Sequence, residues 1–274
     1  MRKVTPVACS IQAGTARRLL FSFVRNKAGL LLMLIIVLQL GSPRLQPQAS
    51  GVVRAFATTY DSGDSFAASP GRVYVAEDDG GMIDVYSVLD GGRHIARYGP
   101  TVYDRGDSIA VDEDIIYVAE DDGGAIDIYH IYQGTLVHRG QFKTNYDRGD
   151  RIAASMHRVF VAEDDGGVVE IYDMQRGGRL VESFKTGFDR SDSVAAYNVV
   201  FLVAEDDGGL IQVHNQTKGW RSMGEFATHY DRGDGLGAYV ISGGGGSVDL
   251  VACVAEDDGG RVECTDFPYS RFLY

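Results

Sequence analysis

The hexapeptide Ala-Glu-Asp-Asp-Gly-Gly occurs five times in this chain, beginning at Ala76, Ala119, Ala162, Ala204 and Ala255. A second motif, an aromatic residue followed by Asp-x-Gly/Ser-Asp, begins at Tyr60, Tyr103, Tyr146, Phe188 and Tyr230 and recurs every 42 to 43 residues, each copy followed by one hexapeptide. A period of that length, filled with short β-rich runs, is the size of one four-stranded propeller blade, which cannot bury its own faces and must stack against neighbours. The third unit shows the pattern: an alternating run over 136–144, then Arg151-Ile152-Ala153-Ala154, then Arg158-Val159-Phe160-Val161-Ala162, then Val168-Val169-Glu170-Ile171-Tyr172. No run has helical spacing, and four strands per period define strands A to D of a blade.

The expected fold is all-β, a five-bladed β-propeller over residues 51–274. Strand A carries small or branched residues in every copy (Ala67-Ala68, Ala110-Val111, Ala153-Ala154, Ala195-Ala196, Gly237-Ala238), as the crowded axis requires, so it is placed innermost. The Asp-Asp-Gly-Gly segment is read as the B-to-C hairpin, where glycine supplies the positive φ that tight hairpin turns need. Residues 52–58 supply a D-like strand before the first A, and no complete D follows the last C, so an N-terminal strand is expected to close the fifth blade and leave no free edge.

Strings such as Val159-Phe160-Val161-Ala162-Glu163-Asp164-Asp165-Gly166-Gly167-Val168-Val169-Glu170-Ile171 resemble the LVIVD repeat of surface-associated propellers. The resemblance spans all five units and departs after strand C, where Asp-Gly-Gly, Gln-Gly or Arg-Gly-Gly replaces the family's turn. It implies a propeller in an extracytoplasmic setting and brings no catalytic residue with it.

Charge divides the chain. The first 50 residues hold Arg2, Lys3, Arg17, Arg18, Arg25, Lys27 and Arg44 and no acid, so all 38 acidic residues lie beyond them against 19 basic ones. A domain this acidic disfavours nucleic acid and anionic membrane as partners and favours cations, basic ligands or a protein. The apolar run 28–40 behind its basic leader reads as an export signal or a signal anchor, with an organelle transit sequence as a third reading, and 41–50 as a linker.

The two motifs contribute 25 of the 38 acids, and the D-to-A loops and B-to-C hairpins of a propeller share a face. The acids support four readings. In the structural one, aspartates cap their own turns and Arg105, Arg148, Arg190 and Arg232 partly neutralise them. In the metal reading, Asp61, Asp64, Asp104, Asp107, Asp147, Asp150, Asp189, Asp192, Asp231 and Asp234 coordinate a hard cation, Ca²⁺ before Mg²⁺, with Glu77, Glu120, Glu163, Glu205 and Glu256 completing the shells. A carboxylate-dependent glycoside hydrolase is the third, although such chemistry needs two acids in unlike environments and five equivalent sets lack that contrast. Adhesion through Arg-Gly-Asp at Arg105, Arg148 and Arg232 is the fourth, weakened because Asp61-Ser62-Gly63-Asp64 and Asp189-Arg190-Ser191-Asp192 keep the aspartates and break the tripeptide. The domain is expected to be a non-enzymatic binding scaffold.

The fifth unit departs most from the repeat. Twelve residues separate the last loop aspartate from the hexapeptide alanine in four units and 21 in the fifth, an insertion around Ser242 to Ser247 read as slack in an A-to-B loop. Cys253 and Cys264 replace strand residues that a hairpin centred on Asp258-Gly259 sets face to face, so a disulfide is expected. Asn215-Gln216-Thr217 is an acceptor sequon.

Overall fold

In the computed structural model, residues 54–272 are described, apart from 122, 191, 207, 208 and 243–247. The basic leader, the apolar run 28–40 and the tip of the fifth-unit insertion lie outside the described residues. No helix among the described residues is long and apolar enough to cross a membrane.

Twenty strands form five four-stranded antiparallel sheets. Blade 1 contains β2 (Ser65–Ser69), β3 (Arg72–Glu77), β4 (Met82–Ser87) and β5 (Arg93–Tyr98); blade 2 contains β6 (Ser108–Asp112), β7 (Ile115–Glu120), β8 (Ala125–Tyr132) and β9 (Thr135–Lys143). Blade 3 contains β10 (Arg151–Ser155), β11 (Arg158–Glu163), β12 (Val168–Asp173) and β13 (Arg179–Lys185), and blade 4 contains β14 (Ser193–Tyr197), β15 (Val200–Glu205), β16 (Leu210–Asn215) and β17 (Arg221–Ala227). Blade 5 combines β18 (Gly235–Ser242), β19 (Val248–Glu256) and β20 (Arg261–Pro268) with β1 (Arg54–Ala57), which pairs antiparallel to β20 as Arg54 to Cys264 and Ala57 to Arg261. The chain is a five-bladed β-propeller closed by its N-terminal strand.

Its core is five layers rather than one. Val73 and Val75 of β3 pack toward blade 5, whereas Tyr74 and Ala76 pack toward blade 2. Because both faces of every B strand are covered, those strands read as continuous apolar runs. At the seam, β18 approaches β2 so closely that a Cβ on Gly235 would lie 2.4 Å from that of Phe66, and one on Gly237 would lie 2.6 Å from that of Ala68. Small residues at the axis are thus a general need, and glycine at these two positions is a specific one. Cys253 and Cys264 form a disulfide across β19 and β20, filling the layer between blades 5 and 1 where the other blades place Tyr74, Tyr117, Phe160 or Leu202.

The insertion in unit five is not simply slack. β18 and β19 remain paired out to Ser242 and Val248, so most of the extra chain lengthens a hairpin. The sequon is closed off as well: Asn215 is fully buried, its Nδ2 donates to the carbonyl of Phe272, and its Oδ1 accepts from the Thr217 N–H at 2.7 Å. Asn215 therefore caps the turn Gln216–Lys218 and anchors the C-terminal segment.

The closing strand carries a buried anchor, Phe56, which packs against Gly92 of the next blade. Phe56→Ala should lower unfolding stability by about 3 kcal/mol, measured by chemical denaturation. An unchanged midpoint would mean that β1 does not hold the ring closed.

Candidate functional site: the acidic face

Each loop that enters a blade is tied at both ends. At its start a threonine, two residues before the aromatic, sits beside the hairpin of the blade it leaves: the N–H groups of Thr101, Thr144 and Thr186 donate to the carbonyls of Gly81, Gly124 and Gly167 at 2.7–2.8 Å. The threonine hydroxyl also accepts the N–H of the aromatic residue, as Thr101 does from Tyr103 at 3.2 Å. These threonines (Thr58, Thr101, Thr144, Thr186, Thr228) are as regular as the aspartates and extend the motif to Thr-x-Tyr/Phe-Asp. At its end the second aspartate turns inward. Asp150 Oδ2 accepts the N–H of Asp147 at 3.0 Å while its Oδ1 accepts that of Asp164, in the hairpin of its own blade, at 2.9 Å. Asp64, Asp107, Asp192 and Asp234 repeat both bonds at 2.8–3.1 Å.

The loop glycine follows from the same geometry. A Cβ on Gly149 would sit 2.3 Å from Asp164 Oδ2, and Gly63, Gly106 and Gly233 meet the equivalent aspartates at 2.2–2.6 Å, all with φ between +100 and +120°. Neighbouring loops are chained by the aromatic ring: the hydroxyls of Tyr60, Tyr103 and Tyr146 donate to the carbonyls of Gly233, Gly63 and Gly106 in the preceding loops at 2.8–3.3 Å. Phe188 has no hydroxyl to make this bond.

Burial raises Asp64, Asp107, Asp150, Asp192 and Asp234 to about 6, and the two backbone N–H groups on each carboxylate oppose that rise. The first aspartates of the loops (Asp61, Asp104, Asp147, Asp189, Asp231) are exposed. Each blade brings three aspartates together with oxygens within 4.8 Å of one another: Asp61, Asp64 and Asp78; Asp104, Asp107 and Asp121; Asp147, Asp150 and Asp164; Asp189, Asp192 and Asp206; Asp231, Asp234 and Asp257. The third member is the first aspartate of the hexapeptide, not its glutamate.

The glutamates mostly face other partners. Glu77 pairs with Arg97, and Glu205 accepts from Gln212. Glu120 is pushed upward, first by its hydrogen bond to Asp127 and then by burial. Glu163 is raised by burial and by the nearby Glu170. Glu256 lines a cavity of about 370 Å³ at blade 5 with His229, Asp231, Asp234 and Asp257. The integrin-type reading meets a direct obstacle, because Asp107, Asp150 and Asp234 are buried with both oxygens taken by backbone N–H groups.

One residue escaped the sequence reading. The position after each loop holds Ser65, Ser108, Arg151, Ser193 and Gly235. Serine there accepts the N–H of the following blade, as Ser65 does from Ile109 at 3.0 Å. Arg151 instead enters a cavity at the axis, bordered by Tyr60, Asp64, Ser108 and Asp234, and donates to the carbonyl of Asp150 at 3.0 Å. Its charge opposes the upward shift that burial imposes on Tyr60, Tyr103, Tyr146 and Tyr230. The signal was present as one arginine among four small residues. Of the loop arginines, Arg190 stabilises ionised Asp164 of the preceding blade.

No family model matches the chain, and no curated protein sequence matches it. Among solved structures it is similar in fold to the glutaminyl cyclase of Myxococcus xanthus, with TM-score 0.56 and 11% identity over 80% of this chain and 96% of that one. Weaker likenesses are to U3-55K (TM-score 0.46, 16% identity, 76% and 64% covered) and to the hydrazine synthase of Kuenenia stuttgartiensis (0.41, 13%, 73% and 58%). At these identities the likeness shows the propeller fold alone.

Two outcomes test the inward aspartate. An asparagine has one acceptor oxygen where two backbone N–H groups converge, so Asp150→Asn should cost about 1–3 kcal/mol at pH 7.5. The exposed Asp147→Asn should cost less than about 0.5 kcal/mol. The five inward aspartates hold protons more tightly folded than unfolded, so the proton-linked part of their contribution is fully present below about pH 4 and is lost as pH rises through 6. With divalent cations chelated, thermal melting should accordingly fall between pH 5 and pH 7.5, and a rise over that interval would contradict the assignment.

Proposed function

We propose that this propeller is a non-enzymatic, extracytoplasmic binding scaffold whose acidic face takes up divalent cations, Ca²⁺ before Mg²⁺, and presents them or its own carboxylates to a basic or protein partner. The observation that carries this reading is the fivefold repetition of three converging aspartates, one set per blade. An all-oxygen, carboxylate-rich set suits a hard cation, and three carboxylates leave positions for water or backbone carbonyls in a flexible shell. The candidate ligands are the aspartate triads rather than the glutamates. Repetition favours multivalent binding, in which modest individual sites add up on one partner.

The Cys253 to Cys264 disulfide supports an oxidising compartment. The basic leader with its apolar run supports export or anchoring, and the LVIVD-like repeat supports membership of a surface-associated family. A hydrolytic reading would use the raised Glu120 of blade 2 as its acid, but the hydrogen-bonded Asp127 lies closer than the separation of about 5 Å or more that glycoside chemistry sets between its two carboxyl groups. Loss of a detectable glycosidase activity in Glu120→Gln would favour that alternative.

Calorimetric titration of the full chain with Ca²⁺ is the test. Binding should raise the melting temperature, each site adding about 2.7 kcal/mol at a hundredfold excess over its dissociation constant. Asp147→Asn with Asp164→Asn should remove one set of sites and leave the other four. Absence of both heat and melting shift at millimolar Ca²⁺ would leave the acids as turn-formers alone.

A further inference from the structure

The face opposite the acids carries a funnel on the propeller axis. It has a volume of about 360 Å³, with a floor of Ala68, Val111, Ala154, Ala196 and Ala238. Below that floor the innermost strands pinch the channel to about 20 Å³, and Arg151 stands at the far end. Access is therefore from this face only. The volume is that of a small-molecule site.

The rim is built from the A-to-B turns. Asp112 Oδ2 accepts the backbone N–H of His157 from the next blade at 2.7 Å, and Ser155 Oγ accepts that of Asn198 at 2.6 Å, so adjacent turns brace one another. Asp112 and Glu113 give the lining two carboxylates, and the described lining residues include no lysine or arginine. Pro70, Met156 and Tyr197 add apolar surface beside them. Tyr197 packs against the same buried clusters as Val240 and Ile241 of the lengthened fifth-blade hairpin.

The backbone at the rim is costly. Two-residue hairpin turns ask for positive φ, which glycine or asparagine adopts readily. Gly71 and Asn198 meet that need, but Glu113 (φ 57°), Met156 (φ 54°) and His157 (φ 58°) meet it with side chains that pay a steric penalty. All three of those side chains line the funnel. Gln133 and Trp220 hold the same positive φ away from the funnel, so what singles out Glu113, Met156 and His157 is that strain and position on the rim coincide.

We infer that the funnel binds a small organic ammonium ion, its charge against Asp112 and Glu113 and its apolar body against the alanine floor and Met156. This site is separate from the acidic face and does not depend on cation binding there.

The test is calorimetric titration of the full chain with 2-phenylethylamine, in excess Ca²⁺ to occupy the acidic face, against the neutral 2-phenylethanol. The amine should bind one to one and the alcohol at least about tenfold more weakly, the scale of one lost charge-assisted hydrogen bond. Asp112→Asn with Glu113→Gln should weaken the amine by a similar factor. Met156→Asn with His157→Gly relieves the turn, so it should raise the melting temperature while weakening the amine. Equal binding of amine and alcohol, amine binding unchanged in both variants, or no amine binding by the unaltered chain would each overturn the inference.

Discussion

A single carboxylate, repeated five times, organises the upper half of this molecule. The inward aspartate of each loop accepts one N–H from its own loop and one from the hairpin of the blade it enters. The threonine at the start of that loop is held by the hairpin of the blade it leaves. Each loop is therefore a strap between two sheets that share no backbone pairing. The tyrosine hydroxyls link one strap to the next. In four of the five loops glycine fits because the hairpin aspartate occupies the space where its Cβ would go; the fourth loop carries Ser191 at this position.

That arrangement carries an electrostatic cost. Each inward carboxylate is ionised only against burial, and it sits near two others in its triad. Two N–H dipoles offset part of the cost, and a bound cation would offset more. The structural and metal readings of the acids meet at the inward aspartate, whose oxygens accept backbone N–H groups and also belong to the triad. The inward aspartate is explained by its backbone bonds. The exposed first aspartate, which makes the loop through its backbone rather than its carboxylate, is the group free to serve a ligand.

Departures from fivefold symmetry concentrate where the ring must close or where one occupant sits on the axis. The close approach of β18 to β2, the disulfide and the added strand β1 all belong to the same seam. Arg151 can occupy the axis only once, because five arginines would repel one another in a space sized for serine. The two faces thereby differ in kind: one is plugged and anionic around its rim, the other is open, concave and lined by strained side chains.

Period, strand count, the innermost placement of strand A, the closing strand and the pairing of Cys253 with Cys264 were all legible in the sequence. They depend on residue spacing and side-chain size, which one repeat states and four others confirm. The partner of each aspartate was not legible. Asp78, not Glu77, completes the triad because it lies in the hairpin turn just past the end of β3, where its N–H meets Asp64, and only the folded hairpin brings that turn to the loop. The same limit hid Arg151, whose meaning depends on the axis it enters, and the burial of Asn215, whose sequon is silent about the C-terminal segment packed over it. Sequence determined the sheets because their rules are local; the tertiary structure decided the sites because they are assembled from residues of different blades.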